Sequence, residues 1–149
     1  MSKGESATRP SGVPWLGQLP AHWEVKRLKD VADVRFSNVD KKSEEGEIPV
    51  RLCNYTDVYY GHFLKDSDGY MEATASPSEI SRFRLRSGDV MITKDSESPT
   101  DIAVPAMLVE DVPDLVCGYH LAMIRTDKAQ LDPAFLYWQL SSDAVRAQY

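Results

Sequence analysis

The sequence predicts an α+β fold, a twisted mixed or antiparallel sheet with a few short helices. Three observations carry this reading. Short apolar runs at 90–92, 102–109 and 115–124 alternate with turn signals such as Ser87-Gly88-Asp89 and Gly118-Tyr119-His120. Residues 48–55 alternate apolar and polar side chains, as a half-buried strand does. Helix starts are brief and well marked. Ser76-Pro77-Ser78-Glu79 is a capping box with proline at the first helical position, and Asp132-Pro133 repeats the cap-then-proline pattern.

Taken in order, Met1 to Ser11 is small and polar without periodicity, which predicts a disordered N-terminal tail. Residues 12–149 then form a single domain. Pro14, Trp15, Pro20 and Trp23 fall close together and exclude a regular helix or a central strand. An extended segment clamped onto the domain by two buried indoles is expected. Val25, Leu28, Val31 and Val34 recur at helical spacing, predicting a short helix over 26–34. Ser37 to Glu47, with Lys41-Lys42 and Glu44-Glu45, reads as a loop.

The strand over 48–55 leads into an aromatic-rich stretch holding Tyr55, Tyr59, Tyr60 and Phe63, in which Val58 and Phe63 read as core. Asp66 to Thr74 reads as a turn-rich link, and the capping box at Ser76 starts a helix through Ile80 and Phe83. Arg82, Arg84 and Arg86 alternate, so in an extended segment they share one face. Both phosphate neutralisation and a salt-bridged surface are open to them. The apolar runs beyond Gly88 predict three strands pressed together, with a polar loop from Thr93 to Asp101 projecting off the first. Phe135, Leu136, Trp138, Gln139 and Leu140 follow Asp132-Pro133 as a helix, and Ser142-Asp143 restarts a second.

Composition narrows the function classes. The chain has 149 residues, 42% hydrophobic and 27% charged, as an ordinary globular domain does. No apolar run approaches the roughly 18 residues a membrane span needs. Met1 to Arg9 lacks the apolar centre of a secretory signal. Two cysteines, Cys53 and Cys117, are too few for a disulfide framework, so a reduced, cytoplasmic compartment is expected. The net charge of −6 argues mildly against nucleic acid. Its distribution is uneven: residues 1–42 hold eight Lys/Arg against five Asp/Glu, and the remainder holds nine against eighteen. DNA binding needs a local basic face rather than a basic total.

Catalytic signatures are missing. Glu24-Val25-Lys26 has the form of a nuclease tripeptide, but the acid needed before it exists only as Glu5 in the tail. A glycine-rich cofactor loop and a nucleophile elbow are both absent. Cys53, His62, Cys117 and His120 lack usual zinc spacing and read better as buried thiols and ordinary histidines. The expectation is a non-catalytic chain with no cofactor and no metal.

The run PWLGQLPAHWEVKRLKDVADV resembles the opening of a target recognition domain in the specificity subunit of type I restriction-modification enzymes. The pattern is carried by Pro14, Trp15, Leu16, Gly17, Leu19, Pro20, Trp23, Val25 and Leu28. Gly88-Asp89-Val90-Met91-Ile92, Ile102-Ala103-Val104-Pro105, the stretch from Val116 to Arg125 and Asp132-Pro133-x-Phe135-Leu136 extend the resemblance to Tyr149. Gly118-Tyr119 departs from the family, which often carries Ser or Asn just before the position of His120. Such subunits carry two recognition domains and two helical spacers; this sequence has neither the second domain nor a spacer and reads as a fragment, a half-size subunit cut short or a truncated gene product.

The resemblance implies sequence-specific recognition of one half of a bipartite site in double-stranded DNA. It also implies methyltransferase (M) subunits and, through them, the restriction (R) subunit as partners. Candidate DNA contacts are Lys41, Lys42, Arg51, Asn54, Tyr55, Tyr59, Lys94, Ser96, Ser98, Thr100, Tyr119 and His120. Arg or Lys suits guanine and Asn suits adenine. The alternative is a non-catalytic protein-interaction module that does not bind DNA alone, which the −6 charge favours.

Overall fold

A computed structural model describes residues 7–94 and 103–148. The chain opens with a small antiparallel pair, β1 (Thr8–Pro10) and β2 (Gln18–Pro20). A single helical turn, α1 (Leu28–Val31), runs directly into β3 (Ala32–Phe36). Next come β4 (Ile48–Cys53), α2 (Tyr55–Gly61), β5 (Phe63–Leu64), a 3-10 turn at Asp66–Asp68, β6 (Met71–Ala75) and α3 (Pro77–Phe83). The chain continues through β7 (Val90–Thr93), β8 (Pro105–Leu108), β9 (Leu115–Cys117) and β10 (Leu121–Thr126). It ends in α4 (Pro133–Ser141) and α5 (Asp143–Arg146).

Two sheets form the body. The five-stranded sheet has the order β3-β10-β7-β8-β5, antiparallel except for the β8–β5 pair. The three-stranded sheet has the order β6-β4-β9, with β4 and β9 parallel. Strand alternation divides the core. Met91, Ala106, Leu121 and Met123 face the second sheet, where Leu52, Cys53, Ala73, Val116 and Cys117 meet them together with Val58 and Phe83. Val90 and Ile124 point the other way and pack under Leu136 and Tyr137 of α4. The α+β mixed-sheet fold expected from the sequence is therefore the fold observed.

Several elements match expectation closely. At α3 the Ser76 hydroxyl accepts the Glu79 N–H at 3.2 Å, and the Glu79 carboxylate accepts the Ser76 N–H at 3.0 Å. At α4 the Asp132 carboxylate accepts the Ala134 N–H at 2.8 Å.

Other elements differ. Thr8–Pro10 pair with Gln18–Pro20, inside what reads as a disordered tail. The helix expected over 26–34 is only one turn long; Ala32 and Val34 enter a strand instead, with Val34 opposite Ile124. Val31 is buried and Leu28, Ala32 and Val34 are half-buried on the α4 side, whereas Val25 is exposed. The strand expected over 48–55 ends at Cys53, the aromatic-rich stretch after it is helical from Tyr55 to Gly61, and Met71–Ala75 form a strand within the predicted link. The third apolar run splits at Gly118 into β9 and β10, which belong to different sheets. The indoles of Trp15 and Trp23 are 44% and 42% exposed, so they are not the buried clamp expected; Trp23 meets Phe135 edge-on at 5.6 Å. Phe63, read as core, is 41% exposed against Tyr137 and Trp138. Among the described residues no helix is long and apolar enough to cross a membrane.

Candidate nucleic-acid interface

The ends of β3, β4, β7 and β9 and the start of β10 meet at one end of the domain, and short hydrogen bonds bind the segments leaving them. Leaving β3, Ser37 donates its N–H to the Leu121 carbonyl at 3.2 Å and its hydroxyl to the Cys117 carbonyl. That hydroxyl also accepts the Val39 N–H at 3.2 Å. The Val39 carbonyl accepts the Tyr119 N–H at 2.9 Å, and the His120 carbonyl accepts the Lys94 N–H at 3.0 Å. Lys94 extends its ammonium to the Ser37 carbonyl at 3.0 Å and lies 5.8 Å from the ring centre of Phe36. Gly118 donates to the Cys53 carbonyl at 2.9 Å, which sets Asn54 beside it. Irregular segments fixed in this way hold their side chains in place at little entropic cost on binding.

This end gathers Asn54, Lys94, Tyr119 and His120 from the sequence-derived candidates. Tyr119 is exposed, with its ring centre 3.8 Å from that of His120. Lys41 and Lys42 are exposed just beyond Val39, and Asp40 accepts the Lys42 N–H at 3.0 Å. Asn54 precedes α2, and its N–H donates to the Asp57 carboxylate at 2.8 Å, half of a capping arrangement. Burial pushes the Asp57 carboxyl above its ordinary value, although the Asn54 hydrogen bond opposes the shift. Tyr55 and Tyr59 stack at 5.6 Å along one face of α2, so Tyr55 lies beside Asn54 and Tyr59 a turn further back.

Arg51 stands apart from this group. Its guanidinium donates to the Pro113 carbonyl at 2.7 and 3.1 Å and to Asp66 at 2.7 Å, tying β4 to the segment before β9. Ser96, Ser98 and Thr100 lie outside the described residues. Phe36 escaped the sequence reading. It is 65% exposed at the end of an edge strand, and its signal was position: a large aromatic immediately ahead of the polar run 37–47.

The groups gathered at this end are of polar types. Ammonium groups, an amide, a phenol and an imidazole present donors and acceptors beside an exposed aromatic face. Cys53 and Cys117 sit behind it as register partners on β4 and β9, fully buried, and burial pushes both thiols up. They are neutral packing groups there. His62 turns instead to the Tyr137 hydroxyl at 3.4 Å. Among the described residues no three His, Cys, Asp or Glu side chains group to hold a metal ion.

No protein-family profile matches the chain. A protein of Methanocaldococcus jannaschii described as a type I restriction enzyme MjaX specificity subunit is 24% identical over 125 residues, covering 84% of this chain and 29% of that protein. The crystal structure of the HsdS subunit from Thermoanaerobacter tengcongensis superposes with a TM-score of 0.50 at 16% identity, over 82% of this chain and 27% of that one. A chain from a structure of complex assembly and conformational transition of the type I R-M system gives a TM-score of 0.51 at 15% identity, over 77% and 26%. The chain thus spans under a third of the length of the relatives it matches. In sequence and in fold alike, the chain resembles the target recognition domain of a type I restriction-modification specificity subunit.

Proposed function

We propose that this chain is a sequence-specific DNA-binding module of the type I specificity kind, reading one half of a bipartite site. It acts in the cytoplasm without catalysing a reaction itself. Its partners are double-stranded DNA, the methyltransferase subunits and, through them, the restriction subunit. The observation that carries the reading is the convergence of Asn54, Lys94, Tyr119, His120 and the segment holding Lys41 and Lys42 at one end of two sheets, in a chain similar to specificity subunits. Asn54 is suited to adenine, and lysines to guanine edges or phosphates.

Selection from a pool of randomised duplexes tests this. Enrichment of a short defined sequence, bound more tightly than its scrambled form, supports the reading. Retention of every duplex alike, or of none, contradicts it.

A further inference from the structure

The three arginines at the end of α3 are not part of the interface just described. Arg82, Arg84 and Arg86 are exposed, while Phe83 and Leu85 between them are buried, so the core holds their backbone in place. Among the described residues none of the three makes an ion pair; Arg82 only leans over the Phe83 ring at 4.9 Å. The acids of the flanking segments have other partners than these guanidiniums, and Asp89 meets Arg86 only through its backbone N–H at 2.7 Å. Glu79 caps the start of α3, Asp89 is held by Arg125, Asp33 by Arg35, and Asp111 accepts the Ser87 N–H.

Two further guanidiniums prepare the same ridge. Arg35 donates to the Arg82 carbonyl at 2.8 Å, and Arg125 donates to the Arg84 carbonyl at 2.9 Å. Carbonyls at a helix end carry partial negative charge that repels an anion. Here that charge is already covered by cations. The ridge also joins the recognition end, because Arg35 immediately precedes Phe36 and Arg84 bridges Val116, close to Gly118.

We propose that Arg82, Arg84 and Arg86, underpinned by Arg35 and Arg125, form a seat for the phosphate backbone of a DNA strand running past the recognition end. The seat rests on the reading of the chain as a DNA-binding module and assigns part of its non-specific affinity. Three guanidiniums free of carboxylates can each displace a counterion from a strand. Local charge, rather than the net −6 of the chain, governs such a contact.

The test compares the full chain with an R82Q/R84Q/R86Q variant by titrating fluorescent duplexes at several salt concentrations. A charge-preserving R82K/R84K/R86K variant and circular dichroism melting of all three proteins accompany it. The seat predicts that the glutamine variant melts normally, weakens on specific and scrambled duplexes alike, and lowers the slope of log affinity against log salt by about 2 to 3. The lysine variant keeps most of the slope. If the wild-type chain binds duplex and the glutamine variant keeps its slope, the seat is wrong while the DNA-binding reading stands. In that case the ridge becomes a surface for an acidic protein partner. If the wild-type chain binds no duplex at any salt, both fail.

Discussion

The Gly118 amide donates to the Cys53 carbonyl at 2.9 Å, and a Cβ at position 118 would stand 2.6 Å from that same oxygen. The contact locks the end of β9 to the end of β4, with Asn54 on one side and Tyr119 on the other. Glycine at 118 is a condition of this close approach between the strands. Gly118→Ala must push two backbones apart, at a cost of about 1 to 3 kcal/mol. A urea titration should show a lower midpoint with an unchanged slope. An unshifted midpoint would mean that the strands meet more loosely than described.

Arg125 and Asp89 form a second lock. The guanidinium donates to both carboxylate oxygens, at 2.9 and 2.8 Å, and the Arg86 N–H adds a third bond to Asp89 at 2.7 Å. The carboxylate is 2% exposed and the guanidinium 28%. The hydrogen bond to Asp89 raises the Arg125 pKa further, so this side chain stays charged wherever the fold survives. Asp89→Ala leaves a partly buried cation and an unpaired N–H. We expect a loss of about 3 kcal/mol, at the low end for a broken buried pair because Arg125 keeps some water. Asp89→Asn retains an acceptor and should cost less. Equal midpoints for the two variants would show that the retained acceptor contributes nothing and that the lost charge accounts for the whole effect.

The thiols supply a pH signature. Cys53 and Cys117 are buried register partners, and burial raises both above their ordinary value. The folded chain therefore keeps protons that the unfolded chain releases above about pH 8.5. Stability contributed by these groups is full below that value and declines as pH rises. Between about pH 8.5 and 10 the double variant Cys53→Ala/Cys117→Ala should decline less steeply than the parent in thermal melts. A thiol reagent at pH 8 should label the native chain slowly and the urea-unfolded chain fast. Rapid native labelling would show that the β4–β9 pair opens readily.

At the proposed recognition end, amide and ammonium should behave differently. Lys94→Ala removes a charge and should weaken all duplexes similarly, reducing the salt slope by about 1. Asn54→Ser keeps a helix-capping oxygen but loses the amide fork, so its effect should fall on base preference, about 1 to 3 kcal/mol between matched and mismatched duplexes. Parallel titrations on the selected duplex and its single-base variants read both. Loss of preference with Lys94→Ala, or a uniform loss with Asn54→Ser, would reverse the assignments.

Much of the fold could be read from particular residues. β4 shows in its alternation, α3 in its capping box, α4 in Asp132-Pro133, and β7 and β8 in apolar runs around a polar insertion. α2 was hidden because Tyr55, Val58, Tyr59 and Tyr60 favour strands. The opposing signal was Asn54 with Asp57 three positions on, a helix start that tertiary packing of Val58 confirms. β6 was hidden by its polar neighbours: Met71 to Ala75 pairs with β4 across its whole length, a long-range contact that local pattern does not report. For the site, the residue types at Asn54, Lys94, Tyr119 and His120 were visible. Their convergence was not, because it depends on hydrogen bonds between segments far apart in the chain, such as Val39 to Tyr119. The same distance concealed the commitment of Arg51 to Pro113.

Amide chemical-shift mapping on addition of the selected duplex shows which surface of the domain meets DNA. Perturbations should concentrate at residues 36–42, 54–55, 94 and 118–120, fading toward Arg51 and Pro113. Perturbations confined to the exposed aromatic face of Phe135 and Trp138, or none at saturating duplex, would contradict the proposed interface.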